Sequence, residues 1–400
     1  MIDIKTPAYR RASLALALGS FLVFCNLYLF QPMLPLMANE FSASATQANW
    51  LLAAGTLALA IMLVPWAVGS EIIGRRKVML MSLFLLPVVG LLMLFADNLL
   101  MLSLARAGMG AALAGFAAVA VAYMAEEFTP RALMVAVGSY ISANSLGGIV
   151  GRLAGGFIAD TWGWKVAVIA MAVFSLVVAL IVLRLLPPQQ HFVAQKSQLR
   201  GHMRSVIQHL RQPVLWYAML IGGVNFALFV NLYSVMGFRL VAEPYSVPVS
   251  WASMIFLCYL SGTLTAKFSG KWSQTHSPVT GMFIGTTVSV VGMWVAAADN
   301  IPAMMAGLML ISSGAFFTHS LAYGWVSQKA TTAKATATAL YLVHYYAGGS
   351  LGGFYLIACW QYGAWPAVLA GGCVLYGLIY CLCFRLIKEK AAVEGVQPAA

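Results

Sequence analysis

The stretch VMLMSLFLLPVVGLLMLFA, residues 78–96, runs for 19 positions with no charge and a single hydroxyl. Roughly 20 mainly apolar helical residues cross the ~30 Å hydrocarbon core of a bilayer. Backbone polar groups find no water there, so only helices and closed barrels span it. A barrel strand would read as about ten alternating residues, and this run does not alternate. It is a membrane-crossing helix.

Runs of the same kind recur on both sides. Of 400 residues, 62% are hydrophobic and 8% are charged, against about 25% charged in a soluble domain. The pattern predicts an all-α membrane protein with twelve transmembrane helices. They cover 13–36, 49–70, 78–96, 99–124, 132–158, 165–186, 213–238, 250–270, 278–297, 301–325, 336–357 and 364–386. The first run is too long for the apolar region of a cleavable signal peptide. The longest polar stretch, 187–212, separates two six-helix bundles, 1–186 and 213–400. Within it Leu199, Met203, Val206, Ile207 and Leu210 recur at helical spacing among Arg200, Arg204 and Arg211, as in an amphipathic helix lying on a membrane surface.

The basic residues orient the chain. With both termini in the cytoplasm, 19 of the 23 Lys and Arg residues fall on cytoplasmic segments, Lys196 among them. Only Lys165 and Arg239 fall on outer segments, and Arg106 and Arg152 fall within spans. This bias fixes the orientation. It also accounts for the net charge of +12, so no nucleic-acid partner is needed. The six cysteines lie in or beside apolar segments without framework or metal-ligand spacing, and no metal or cofactor is expected.

The halves repeat. Ala96-Asp97-Asn98 returns as Ala298-Asp299-Asn300, and Trp50 as Trp251. Tyr140, Gly147, Gly148 and Gly151 return as Tyr341, Gly348, Gly349 and Gly352. Phe24 and Asn26-Leu27-Tyr28 return as Phe229 and Asn231-Leu232-Tyr233, at the slightly larger offset of 205. Parallel six-helix repeats imply a pseudo-symmetric pair of bundles with a central site between them, reached alternately from each side.

At these residues the chain resembles the major facilitator superfamily over nearly its whole length. Glu71-Ile-Ile-Gly74-Arg75-Arg76-Lys77 is similar to the family's cytoplasmic loop motif, with Glu71 where Asp is usual. Arg106 and Gly110 resemble its span-4 motif. Gly147-Gly148-Ile-Val-Gly151-Arg152-Leu-Ala-Gly155-Gly156 resembles the glycine-rich motif of the drug–proton antiporter branch, with Arg152 replacing a proline. Gly237-Phe238-Arg239 and Pro244-Tyr245-Ser246 point toward the YnfM-type efflux branch. The resemblance implies a bacterial inner-membrane carrier whose spans 1, 4, 7 and 10 line the cavity. It also implies that Glu71, Gly74, Arg75 and Arg76 form a gate latch, with Glu126, Glu127 and Arg131 nearby.

None of the eleven acids lies near a span midpoint. A proton-coupled carrier would then use a group at a span end or a histidine, whose reference pKa is about 6.5. His319 and His344 are the intramembrane candidates; the bland alternative is a neutral imidazole bonded to a carbonyl or a tyrosine. Glu126 and Glu127 compete as proton acceptors or form ion pairs with Arg75, Arg76 or Arg131. Arg106 and Arg152 cannot shed their protons. Each either holds an anionic substrate group or is satisfied by the protein, by backbone or, for Arg152, by Asp160. Asn26, Tyr28, Gln31, Tyr140, Asn144, Asn225, Asn231, Tyr233, Tyr341 and Tyr345 complete the expected cavity, or act as polar glue between helices.

The sequence carries no nucleotide loop, metal cluster or catalytic triad pattern, so an enzyme is not expected. The expectation is a secondary transporter, most simply a monomer. It would export a small amphipathic or anionic molecule in exchange for protons; the alternative is a proton symporter or uniporter importing a nutrient.

Overall fold

The computed structural model of the chain describes residues 1–192 and 199–394. Lys196 lies outside those residues, as do the side chains of Leu199, Arg200 and Met203.

Helix α1 covers Pro7–Tyr28 and opens on Thr6, whose hydroxyl accepts Tyr9 N at 3.1 Å. The chain then leaves the helix over 29–33 and resumes as α2, Leu34–Glu40. The single span expected at 13–36 is therefore two pieces. Pro32 is the reason: it has no N–H to return to Tyr28 O, and Gln31 N bonds that carbonyl instead, at 3.1 Å.

Five helices follow: α3 (Ala45–Ile73), α4 (Arg75–Phe95), α5 (Leu99–Glu127), α6 (Pro130–Trp162) and α7 (Trp164–Leu185). A capping box of Ser44 and Gln47 starts α3. Between α3 and α4, Gly74 sits at φ +101°, ψ 142°, a conformation close to glycine-only territory. The amphipathic segment forms α8, Leu199–Leu210. Beyond it come α9 (Pro213–Val241), α10 (Val249–Thr275), α11 (Pro278–Val295) and α12 (Ile301–Lys329). The final helix, α13, runs Lys334–Glu394 with non-helical residues at Gly363 and Ala364.

Eleven described helices are thus long and apolar enough to cross a membrane, where twelve spans were expected. The last one is 61 residues, about three times the ~20 that one crossing needs, and its interruption at 363–364 separates the two arms expected at 336–357 and 364–386. The remaining spans fall where expected but are mostly longer, because the polar ends continue the helix past the apolar run.

The chain packs as two compact units. The first contains Met1–Gln198 with Leu240–Met254, and the second contains Leu199–Arg239 with Ile255–Ala400. In the first, α1 packs on α6 and α7, and α5 packs on α3 and α4. In the second, α12 packs on α10, α11 and α13.

The repeat has a structural register. Gly147 lies against the Phe21 carbonyl and Gly151 against Cys25; in the second unit Gly348 lies against the Gly223 carbonyl and Gly352 against Ala227. A side chain at any of the four would overlap backbone. These seams align Phe21 with Gly223 and Cys25 with Ala227, an offset of 202. The match of Asn26-Leu27-Tyr28 with Asn231-Leu232-Tyr233 is therefore three residues, nearly one turn, out of the packing register. The Ala-Asp-Asn repeat keeps its register: Asn98 and Asn300 each cap a helix, accepting Met101 N and Ala303 N at 2.9 Å.

Arg239, expected on an outer segment, lies in the last turn of α9 and is buried. Its guanidinium donates to Ala296 O at 2.7 Å, to Ala297 O and Ala298 O at 3.2 and 3.4 Å, and to Asp299 Oδ1 at 2.8 Å. It closes the carboxyl end of α11, where carbonyls lack helical donors.

Candidate functional site

The break after α1 organises the first unit. Because Gln31 N turns to Tyr28 O, the carbonyl of Leu27 needs another donor. Arg106, on α5, supplies it at 2.7 Å. The same guanidinium donates to Asn26 O at 3.1 Å and to Leu51 O on α3 at 2.9 Å, and it lies 4.9 Å from the Phe30 ring centroid. Arg106 is 1% exposed. Each of its three guanidinium nitrogens donates to a backbone carbonyl, as in the structural alternative weighed for Arg106 from the sequence.

Arg152, on α6, grips the same break from another side. It donates to Gln31 Oε1 and to Gly148 O, each at 2.7 Å, and lies 3.7 Å from the Tyr28 ring centroid. It is as buried as Arg106. Its expected partner Asp160 is elsewhere, bonded to Ser250. Gln31, Tyr28 and Arg152 thus form a buried polar knot, in place of the Arg152–Asp160 pair weighed from the sequence.

The asparagines are tied to backbone. Asn26 Nδ2 donates to Leu22 O and to Ser175 Oγ, both at 3.0 Å. Asn225 Nδ2 donates to Ala315 O at 3.0 Å. Asn231 Nδ2 donates to Ala227 O at 2.9 Å and Gly349 O at 2.8 Å. Tyr233 Oη donates to Leu308 O at 3.0 Å beside Ser312. All four residues are buried and join helices. Tyr140 is buried too, and its carbonyl accepts Ser20 Oγ at 3.3 Å. Asn144 is half-buried, with Oδ1 enclosed and unpartnered.

In the second unit His319, His344, Tyr341 and Tyr345 gather on α12 and α13. Tyr341 Oη lies 3.2 Å from the carbonyl of His319 and 2.9 Å from its Nδ1. The carbonyl can only accept, so the hydroxyl proton goes there and Nδ1 carries the proton directed at Tyr341 Oη. His319 is thereby fixed with the lone pair on Nε2, which has no hydrogen-bond partner among the described residues. His344 Nδ1 donates to Leu340 O at 2.8 Å, leaving its Nε2 in the same form. Both residues are half-buried. Tyr345 lies 4.4 Å from the His319 ring and stacks on Phe226 at 3.8 Å, and Tyr323 sits edge-on to Tyr341 at 5.4 Å. Phe226 and Tyr323 escaped the sequence reading because aromatic residues on an apolar helix look like ordinary core.

The loop motif after α3 forms a second cluster. Arg75 Nε pairs with Glu126 Oε1 at 3.0 Å, and its Nη1 reaches Ala67 O at 3.3 Å and Ser70 Oγ. Arg76 donates through Nε to Leu186 O at 3.0 Å. Gln189 bridges the two, accepting Arg76 N at 3.0 Å and donating to Glu126 Oε2 at 3.1 Å. Glu127, buried, accepts the backbone N–H groups of Gln190 and His191 at 2.9 Å and contacts His191 Nδ1 at 3.0 Å. Glu71 is half-buried two residues before the helix end, and Arg131 is exposed. Gln189 and His191 were missed: nothing in a polar linker marks the three residues that return to the helix ends.

Long apolar helices in two repeated sets, joined by glycine seams, make a polytopic helical membrane protein. The chain belongs to the Major Facilitator Superfamily, whose model matches residues 16–353. It is 31% identical to the inner membrane transport protein YnfM of Escherichia coli (strain K12), over 91% of this chain and 87% of that protein. It is 24% identical to the chloramphenicol resistance protein CraA of Acinetobacter baumannii, over 85% of this chain and 84% of that protein. Its fold matches the inward-facing, unoccupied structure of a bacterial homologue of the human lysosomal transporter Spinster, with a TM-score of 0.71 at 16% identity, covering 99% of this chain and 100% of that chain. The protein is therefore a multi-pass secondary transporter of a small molecule, in a family of transporters rather than enzymes.

Proposed function

We propose that this protein is a proton-driven exporter of a small amphipathic molecule, working by alternating access as a monomer in a bacterial inner membrane with both termini in the cytoplasm. The carrying observation is the pair His319 and Tyr341. Tyr341 holds the imidazole in one tautomer and leaves Nε2 as a proton acceptor at mid-helix without a partner among the described residues, in a chain with no midspan carboxylate. The flanking rings of Tyr345, Phe226 and Tyr323 suit a ligand with an apolar face. The anionic form of the reading loses its support, since the guanidiniums of Arg106 and Arg152 are bonded within the first unit. The likeness to the inner membrane transport protein YnfM favours the inner-membrane location, and the likeness to CraA, named for chloramphenicol resistance, and the glycine-rich motif on α6 favour export.

The test is flux in proteoliposomes with an imposed pH gradient, using chloramphenicol and a panel of neutral, anionic and cationic aromatic compounds. The expected result is uphill movement of a neutral amphipathic compound against the proton flow, abolished by His319→Gln. Movement in the same direction as the proton, as in nutrient symport, would overturn the exchange. Flux indifferent to the gradient would overturn the coupling.

A further inference from the structure

Helix α8 buries a histidine and exposes an isoleucine and a leucine. It packs on α13 within the second unit. His209 is 1% exposed, and neither of its ring nitrogens has a hydrogen-bond partner among the described residues. Ser205, one turn before it, is half-buried. The outward side carries Ile207 and Leu210, 48% and 37% exposed, together with the exposed Arg204 and Arg211. Ile207 neighbours all three, because residues three and four apart share a helix face. Facing water, this orientation is unfavourable on two counts. An imidazole buried without a bonded partner is penalised, and exposed isoleucine and leucine forgo burial. A half-turn about the helix axis would relieve both. The orientation is favourable where the outer medium accepts apolar side chains and positive charge together, as the headgroup boundary of a bilayer does.

The place of α8 in the chain agrees. His209 O accepts Gln212 N at 3.1 Å and Gln212 O accepts Trp216 N at 3.0 Å, so backbone bonds run from α8 into α9 with no loop between them. Helix α9 is long and apolar enough to cross a membrane, and Trp216 near its start is exposed, as interfacial tryptophans are. Trp325 on α12 donates Nε1 to Val214 O at 3.0 Å, and Lys329 Nζ lies 5.3 Å from the Trp325 ring centroid. A further cation thus stands at the same end of α9. The stretch 187–212 holds Lys196, Arg200, Arg204 and Arg211 and no Asp or Glu, so no carboxylate of its own offsets the outward guanidiniums.

We propose that the outward face of α8 is a binding site for anionic phospholipid headgroups, with Arg204 and Arg211 taking the lipid phosphates and Ile207 and Leu210 entering the acyl boundary between them. A guanidinium offers paired donors to phosphate oxygens. Its alkyl stem lies along apolar surface while the charge reaches outward, and basic residues beside a span are drawn to an anionic leaflet. The apolar pair between the two cations commits the face to a lipid surface, since a dissolved phosphate has nothing for Ile207 and Leu210 to enter. The proposal rests on the chain being a helical membrane protein and not on the proton, the cargo or the direction of transport.

The test uses the full chain without substrate, in nanodiscs of phosphatidylcholine alone or of an equal mixture with phosphatidylglycerol. Amide hydrogen exchange of the peptide covering 204–212 reports the state of α8. Exchange there is expected to be about tenfold slower in the mixture, equivalent to about 1.4 kcal/mol. High salt is expected to remove the difference, because it screens exposed charges. Arg204→Gln with Arg211→Gln is expected to erase the difference between the two lipids, whereas Arg204→Lys with Arg211→Lys keeps it. Ile207→Ser with Leu210→Ser is expected to speed exchange in both. Unchanged exchange over 78–96 shows that each variant is folded. Equal exchange in the two lipids for the parent, or a difference that survives the glutamine variant, would overturn the assignment. So would slowing by dissolved glycerol phosphate in phosphatidylcholine, which would make the face a site for a soluble phosphate instead.

Discussion

Arg106 and Arg152, 46 positions apart on two different helices, hold the same five-residue interruption of α1. One supplies a donor to the Leu27 carbonyl, which the break leaves without its helical partner, and the other fixes Gln31 within it. A discontinuous helix inside a membrane is tolerated only where protein satisfies its backbone, and here Arg106 does so while Arg152 holds the Gln31 side chain.

Arg106→Lys therefore acts on stability before it acts on any substrate. An ammonium has the charge but not the planar fork that reaches three carbonyls at once. Arg106→Ala is expected to destabilise the protein by about 3 kcal/mol, from the unsatisfied carbonyls and the cavity, with Arg106→Lys recovering only part. Thermal unfolding in detergent measures both. Wild-type melting in Arg106→Ala, with only the transported compound changed, would return Arg106 to the role of a ligand.

The Arg152–Gln31 bond is short, buried and charge-assisted, and such bonds contribute about 1.5–3 kcal/mol. Arg152→Ala, Gln31→Ala and the double variant form a cycle, and a coupling in that range is expected. Additive effects would show that Gln31 is held by other contacts.

Gly74 at φ +101° predicts a costly substitution. Gly74→Ala is expected to lose about 1–3 kcal/mol, as residues forced into glycine-only backbone do, and to displace Arg76 N from Gln189. Hydrogen exchange of the peptide covering 74–80 follows it directly. Unchanged exchange together with an unchanged melting temperature would mean that the turn relaxes freely.

Glu127 anchors the start of the linker through two backbone N–H groups. Glu127→Ala is expected to speed amide exchange at Gln190 and His191 by about tenfold, equivalent to about 1.4 kcal/mol, while Glu126→Ala leaves those two amides near their original rates. Equal effects of the two substitutions would make the cluster a single unit rather than two separate clips.

His319 and His344 each leave an imidazole Nε2 without a partner among the described residues. His319→Gln and His344→Gln are each expected to flatten the pH dependence of flux more than Asp97→Asn does, because a glutamine does not titrate. Tyr341→Phe, which removes the acceptor of the Nδ1 proton, is expected to weaken the dependence without removing it. Profiles identical to wild type in both histidine variants would move coupling to Glu126 and Glu127.

The sequence alone determined that the chain is a bundle of membrane helices with an internal repeat, because span length and apolarity are local properties that the bilayer reads residue by residue. It also determined which polar residues were unusual: Arg106, Arg152, His319 and His344 stand out against apolar runs at any fold. What it did not determine is whom each one meets. Arg106 reads equally as a ligand for an anion or as a structural cation until Pro32 is seen to break α1 and leave Leu27 O without its helical donor. Asp160 reads as a partner for Arg152 two turns away on the same helix, yet the tertiary structure sets it against Ser250, 90 residues distant. Hydrogen-bond partners are fixed by where helices cross, and crossing depends on glycine seams contributed by residues far apart in the chain. The packing of those seams, not the local pattern, decided which buried polar groups are bonded inside the protein.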